Sequence, residues 1–246
     1  MDLLEAALPW QAKSLHIFLL SRCSPGTNRL SASQIKLARA LGIHRDTLRK
    51  YLGILVDSGW LSMEGGNHGE TTFVVRNPVL EERQAEVARV RKRIDRTEHK
   101  GEALMREWLN LIVDSDDFDD NARPGFLRNP MTGENMEYDR WYTAGVAFEF
   151  NGPQHYGPTD VYPDPAQARL TMGRDYIKRG ISQEKGVHLV TIRPDDLTFT
   201  RMRKLVEGLL PLRELRPDDP VLRYLTEVSL RYMGRARAAR QHRPSR

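Results

Sequence analysis

The chain has 246 residues, 39% of them apolar and 29% charged, with a formal net charge of +5 and one cysteine. That length admits two modest domains or one large one. Cys23 alone excludes an intrachain disulfide framework and a cysteine-rich zinc site. The sequence shows neither a membrane span nor a signal peptide, so a cytoplasmic protein with no membrane partner is expected, and the basic balance favours a polyanionic one.

Residues 9–21, PWQAKSLHIFLLS, carry Leu15, Phe18 and Leu19 at helical spacing. CSPGTNR reads as a loop. Ser31 and Gln34 have capping-box spacing, which predicts a short helix that Gly42 ends. A second helix is predicted from His44 to Ser58, closed by Gly59. Ile43, Leu48, Leu52, Leu55 and Val56 are expected to face its core. WLSMEGGNHGETTFVVR then gives two β-like runs around a glycine-rich turn, a hairpin signal.

Helix, turn, helix and hairpin in that order resemble a winged helix-turn-helix domain, here over residues 9–77, within a first domain of 1–78. The resemblance implies that His44, Arg45, Thr47, Arg49 and Lys50 form the outer face of a recognition helix for double-stranded DNA. His68 is the polar residue at the wing tip. The same face also fits a protein-binding domain.

Residues 79–113 read as helical. Apolar marks are sparse in the first part, a 79–97 helical linker whose cluster of Arg89, Arg91, Lys92, Arg93 and Arg96 reads as a solvated face. The second domain opens with an amphipathic stripe of Leu104, Trp108, Leu111 and Ile112. DSDDFDDN lacks calcium-loop spacing and reads as a solvated acidic loop. Strands are expected at 136–142 and 145–151. In the first, Glu137, Asp139 and Trp141 share a face; in the second, Ala147, Glu149 and Asn151 do, with Val146, Phe148 and Phe150 opposite. If the two strands are antiparallel neighbours, Asp139 meets Glu149. Two close carboxylates repel, and a hard divalent cation relieves that repulsion. Alternatively, Glu149 pairs with Arg140, Arg174 or Lys178.

The block Phe148-Glu149-Phe150-Asn151-Gly152-Pro153-Gln154-His155-Tyr156 resembles the PD-(D/E)XK nuclease superfamily, in particular the branch of very-short-patch-repair and phage or homing-type endonucleases. His99-Lys100-Gly101-Glu102, Arg174-Asp175-Tyr176-Ile177-Lys178 and the run Gly186–Ile192 follow the branch's other blocks in order. The likeness spans about residues 99–197. It implies a restriction-endonuclease-like mixed sheet flanked by helices over 98–212, followed by a C-terminal helix and basic tail over 213–246. It further implies Mg²⁺, with Mn²⁺ as a substitute, held by Asp139, Glu149 and the Phe150 backbone carbonyl. Glu102 and Gln154 would complete the catalytic set, with Asn151, His155 and Lys178 accessory. The sequence departs from the pattern at Asn151, which stands where the superfamily has lysine and this branch often has aspartate, and at Tyr138, which precedes Asp139 in place of proline. Gln154 matches the branch's glutamine, and the resemblance implies that it takes over the polar role of the missing lysine.

Near the C-terminus, helices are expected at 200–210 and 218–233. The tail from Arg231 holds six arginines and no acid, and is expected to be disordered in isolation. The reading is thus an α+β (α/β) chain, monomer or homodimer, that is either a metal-dependent DNA endonuclease or a DNA-binding regulator or architectural protein on an inactive nuclease fold.

Overall fold

The computed structural model describes residues 2–24, 26–65, 70–152 and 165–241. Gln154, His155 and the wing-tip His68 lie outside them. The chain is α+β with two sheets and divides into compact units of residues 1–85 and 86–246. Among the described residues no helix is long and apolar enough to cross a membrane.

The first unit runs α1 (Asp2–Glu5), α2 (Trp10–Arg22), β1 (Arg29–Ala32), α3 (Gln34–Leu41), α4 (Arg45–Asp57), β2 (Leu61–Gly65) and β3 (Thr71–Val75). Its antiparallel sheet has the order β1-β3-β2. Leu15, Leu19, Leu48, Leu52, Leu55, Trp60 and Phe73 fill the core. Ser31 is no helix cap: it lies in β1, its hydroxyl 2.9 Å from that of Thr72. Ser33 caps α3 instead, accepting from the Ile35 N–H at 3.3 Å. Gly42 ends α3 with φ +64°, a conformation glycine adopts without a Cβ clash. Val56 is exposed, because Leu48, Leu52 and Leu55 already supply the core stripe of α4.

The second unit takes the later part of α5 (Pro78–Arg96), then α6 (Lys100–Ile112), β4 (Phe118–Ala122), β5 (Tyr138–Tyr142), β6 (Val146–Phe150), α7 (Pro165–Glu184), β7 (His188–Ile192), a 3-10 turn (Pro194–Asp196), α8 (Phe199–Val206) and α9 (Pro220–Gln241). The sheet order is β4-β5-β6-β7, antiparallel except for β6 with β7, which α7 connects. Val146, Phe148 and Phe150 point to the α6, α8 and α9 side; Ala147 packs on the side of α7 with Ile177 and Ile181. A central strand covered on both faces explains why VAFEF is almost all apolar. Burying a side chain such as Phe148 is worth roughly 1.5–3 kcal/mol.

Three expectations change here. Residues 79–97 are more than a linker: Val90 and Ile94 enter the core of the second unit, so the division falls within α5, ahead of residue 97. The acidic loop contributes β4, an edge strand whose Asp120 is held by Arg140 at 2.7 Å and 3.0 Å. The C-terminal segment is not a separate tail. Val221 and Leu225 are core residues, Trp108 donates to Ser229 at 2.9 Å, and the helix runs on to Gln241.

Candidate functional site

Arg140 pairs with Phe148, so the next step along β5 and β6 sets Asp139 across from Glu149. There the ladder gives way to a side chain: Asp139 Oδ2 accepts from the Phe150 N–H at 2.7 Å. The partner strand is distorted at the same level. Asp120 pairs with Arg140 and Ala122 with Tyr138, leaving Asn121 opposite Asp139 with φ +53°. Arg106 bridges the gap, donating to Asn121 Oδ1 at 2.8 Å and to the Asp139 carbonyl at 3.0 Å.

Glu149 forms an ion pair with Lys178 of α7. Both side chains are nearly buried, at 12% and 14% exposure. Lys178 also donates to the Glu137 carbonyl at 2.7 Å. Its place on α7 is fixed through Tyr138. The Tyr138 and Ser182 hydroxyls are 2.6 Å apart, and Ser182 donates to the Lys178 carbonyl at 2.7 Å. Ser182 has one proton to give, so Tyr138 is the donor to Ser182. Tyr138 thus anchors the helix that carries the lysine.

Glu102 enters from α6 because residue 101 is glycine. A Cβ there would lie 2.1 Å from Phe150 Cε1 and 2.5 Å from the Tyr232 hydroxyl oxygen. Glycine lets the first turn of α6 press against the end of β6. Glu102 is paired with Arg106 at 2.5 Å.

Asp139, Glu149, Glu102, Glu137 and Lys178 line one open cavity of about 620 Å³. Burial pushes the Glu149 carboxyl up to about 7; the Lys178 ammonium opposes the rise and the Asp139 charge adds to it. Asp139 is also raised by burial, against the pull of the Phe150 N–H and Lys178. Glu102 is raised by burial and then by Asp139. Three carboxyl groups that all resist ionisation in one cavity are a place for added positive charge.

The structure therefore brings Asp139, Glu149, Glu102 and Lys178 together, with Phe150 in the cavity wall. Asn151 is not among the described lining residues; its N–H goes to the Ile192 carbonyl at 2.8 Å. The ion-pair alternative for Glu149 holds for Lys178. Arg140 is instead committed to Asp120, and Arg174 to Glu134 at 2.6 Å. Sequence reasoning missed Arg106, although its spacing four residues after Glu102 on one helix was a readable signal. In the first unit His44, Arg45, Thr47, Arg49 and Lys50 are all exposed on or beside α4. His44 Nδ1 accepts from the Asp46 N–H at 3.3 Å, and Arg49 lies 3.6 Å from the Asp46 carboxylate.

No family model and no solved structure matches the chain. It is similar to an uncharacterized protein, 033L, of Invertebrate iridescent virus 3. The two are 42% identical over 93 residues, which cover 34% of this chain and 48% of the viral protein. The chain spans about half the length of the curated relative it matches.

Whether the cavity suits a divalent cation rests on its donor set. Among the described residues no three His, Cys, Asp or Glu side chains converge as a metal-holding group; Asp139 is turned to the Phe150 N–H and Glu149 to Lys178. Magnesium, however, is commonly held by one or two carboxylates, with water and substrate phosphate completing the shell. Two largely buried carboxylates in an open cavity, both with raised proton affinity, fit that requirement.

Proposed function

We propose that the chain is a metal-dependent endonuclease acting on DNA, with the second unit as the cleaving part and the first as a winged helix-turn-helix DNA-binding part. The observation that carries this reading is the meeting of Asp139 and Glu149, across two paired strands, in a cavity that also holds Glu102 and Lys178. Asp139 and Glu149 would hold Mg²⁺ or Mn²⁺, which when bound neutralises phosphate charge and makes a coordinated water more acidic.

The chain's own groups do the rest. Lys178, held by the Glu137 carbonyl as well as by Glu149, supplies a positive charge for a phosphate oxygen. It takes up the electrostatic role that Asn151 cannot fill. Glu102, its proton affinity raised, is suited to accept a proton from an attacking water. Arg106 fixes Glu102 and the Asp139 backbone together. The exposed Arg45 and Arg49 of α4 are suited to phosphates and guanine edges of a duplex.

The second reading, a DNA-binding protein on an inactive nuclease fold, is favoured by the Glu149–Lys178 ion pair, which already compensates one carboxylate. Incubation with plasmid and single-stranded DNA in Mg²⁺, Mn²⁺ or EDTA separates the two. Cleavage that needs the cation and falls on the order of 10³-fold or more in Asp139→Ala and in Glu149→Ala, with DNA binding retained, is the expected result. Binding without cleavage under every condition selects the second reading.

A further inference from the structure

A second cavity of the same unit, about 530 Å³, lies along α5 and α9. Arg91 and Ile94 line it from α5; Tyr224, Arg231, Tyr232 and Arg235 line it from α9. The α9 positions follow helical spacing and form one face of that helix. Its lining is mainly basic and aromatic, with Ile94, Leu104 and Val228 beneath. Its lining holds four cationic side chains, including Lys100, against the two acids Asp95 and Glu227, a balance of +2.

The cations are not equivalent. Lys100 is spent on the carbonyls of Ile94 and Asp95, at 2.8 Å and 3.0 Å, and so closes the end of α5. Arg231 lies 3.2 Å from Glu227, an exposed pair of little strength. The Arg91 guanidinium sits 5.3 Å above the Tyr224 ring. Arg235 has no carboxylate partner among the described residues.

The two cavities share a partition. Phe150, next to Glu149, walls the carboxylate cavity and has its ring 6.2 Å from that of Tyr232. In the first turns of α6, His99 and Glu102 face the carboxylates while Lys100 and Leu104 face the basic cleft.

We propose that this basic, aromatic cleft seats an unpaired nucleic-acid strand beside the carboxylate cavity. Guanidinium groups along a groove neutralise successive phosphates, while the half-buried Tyr224 and Tyr232 rings offer surface to bases that a duplex keeps stacked inside. The role of the strand rests on the nuclease reading; its binding does not, and is measured without cleavage. Fluorescence anisotropy of a labelled twenty-nucleotide oligo(dT) with the full chain in EDTA reads it directly. Arg91→Ala/Arg235→Ala is expected to bind about tenfold more weakly, with the log–log salt slope shallower by about 1.4 for two lost phosphate contacts. Arg235→Gln alone, at an exposed position, is expected to give about half that change in slope. A charge-matched control on α8, Arg203→Ala/Lys204→Ala, is expected to bind like the parent. The proposal is overturned if the parent does not bind the oligonucleotide, if the cleft variants keep its affinity and slope, or if the α8 control loses as much. Weakened binding by the cleft variants in a parent that cuts no DNA would remove the nuclease reading and leave the cleft standing. Normal cutting with unchanged oligonucleotide binding would remove the cleft alone.

Discussion

Glu107, buried, and Glu149, largely buried, are carboxylates of the second unit that live very differently. Glu107, on α6, is gripped by the Arg93 guanidinium at 2.6 Å and 2.9 Å, one nitrogen to each oxygen. Glu149, at the end of β6, shares the single ammonium of Lys178 with its neighbour Asp139, which Lys178 also stabilises electrostatically. The first arrangement is complete: a planar fork satisfies a planar carboxylate. The second is short of positive charge, and the excess appears as raised proton affinity. Arg93 also donates to Glu86 at 3.0 Å, but Glu86 has Arg89 as well at 2.6 Å, so there two acids meet two guanidiniums; Glu149 and Asp139 meet one ammonium in direct contact, with Arg106 acting on Asp139 from farther off.

The contrast is open to attack at each end. Arg93→Ala leaves Glu107 buried without its main partner; because Arg93 itself is half exposed, urea denaturation is expected to show a loss of about 2–3 kcal/mol. A loss below about 1 kcal/mol would mean the pair is incidental. Gly101→Ala forces a methyl group against Phe150 and Tyr232. It is expected to cost about 1–3 kcal/mol in the same measurement, and to slow any cleavage by displacing Glu102. Parent-like stability would show that the close approach is not needed.

Glu149→Gln gives the smallest effect, and its sign is set by pH. The Glu149 carboxyl is raised from its ordinary value to about 7. Its stabilising contribution is therefore full below about pH 4.5 and is lost as the pH rises through about 7. Without metal, Glu149→Gln is expected to gain on the order of 1 kcal/mol relative to the parent between pH 5 and pH 8. Thermal unfolding in EDTA at the two values measures it. A parent that gains relative to the variant with rising pH would show that Lys178 more than compensates the charge.

Much of this was legible in the chain. Alternation along VAFEF set Glu149 on the face opposite Phe148 and Phe150, and the β5–β6 register then brings Asp139 level with it. Other features depend on partners far along the sequence. The FDDNA segment becomes a strand because Arg140, wholly buried, takes Asp120 and lies 3.8 Å from the Phe118 ring; acidic composition alone hides that. β1 is four residues long and half polar, so Ser31 imitated a cap. Lys178 is selected by the turn of α7 that Tyr138 and Ser182 tie down, while Arg174, one turn earlier on the same helix, is taken by Glu134 and Arg140 by Asp120. The arginine-rich end continues α9 because alanine and arginine both favour helix and Met233 and Ala236 are buried.

Electron paramagnetic resonance of Mn²⁺ titrated into the metal-free chain reads the cation itself, without DNA or turnover. Mn²⁺ is expected to bind the parent, more tightly as the pH rises through about 7, where Glu149 loses its proton. Binding is expected to weaken at least about tenfold in Asp139→Ala and in Glu149→Gln, and to be unchanged in Glu107→Gln, whose carboxylate already has its cation. Equal Mn²⁺ affinity in the parent, Asp139→Ala and Glu149→Gln would contradict a cation site at these two carboxylates.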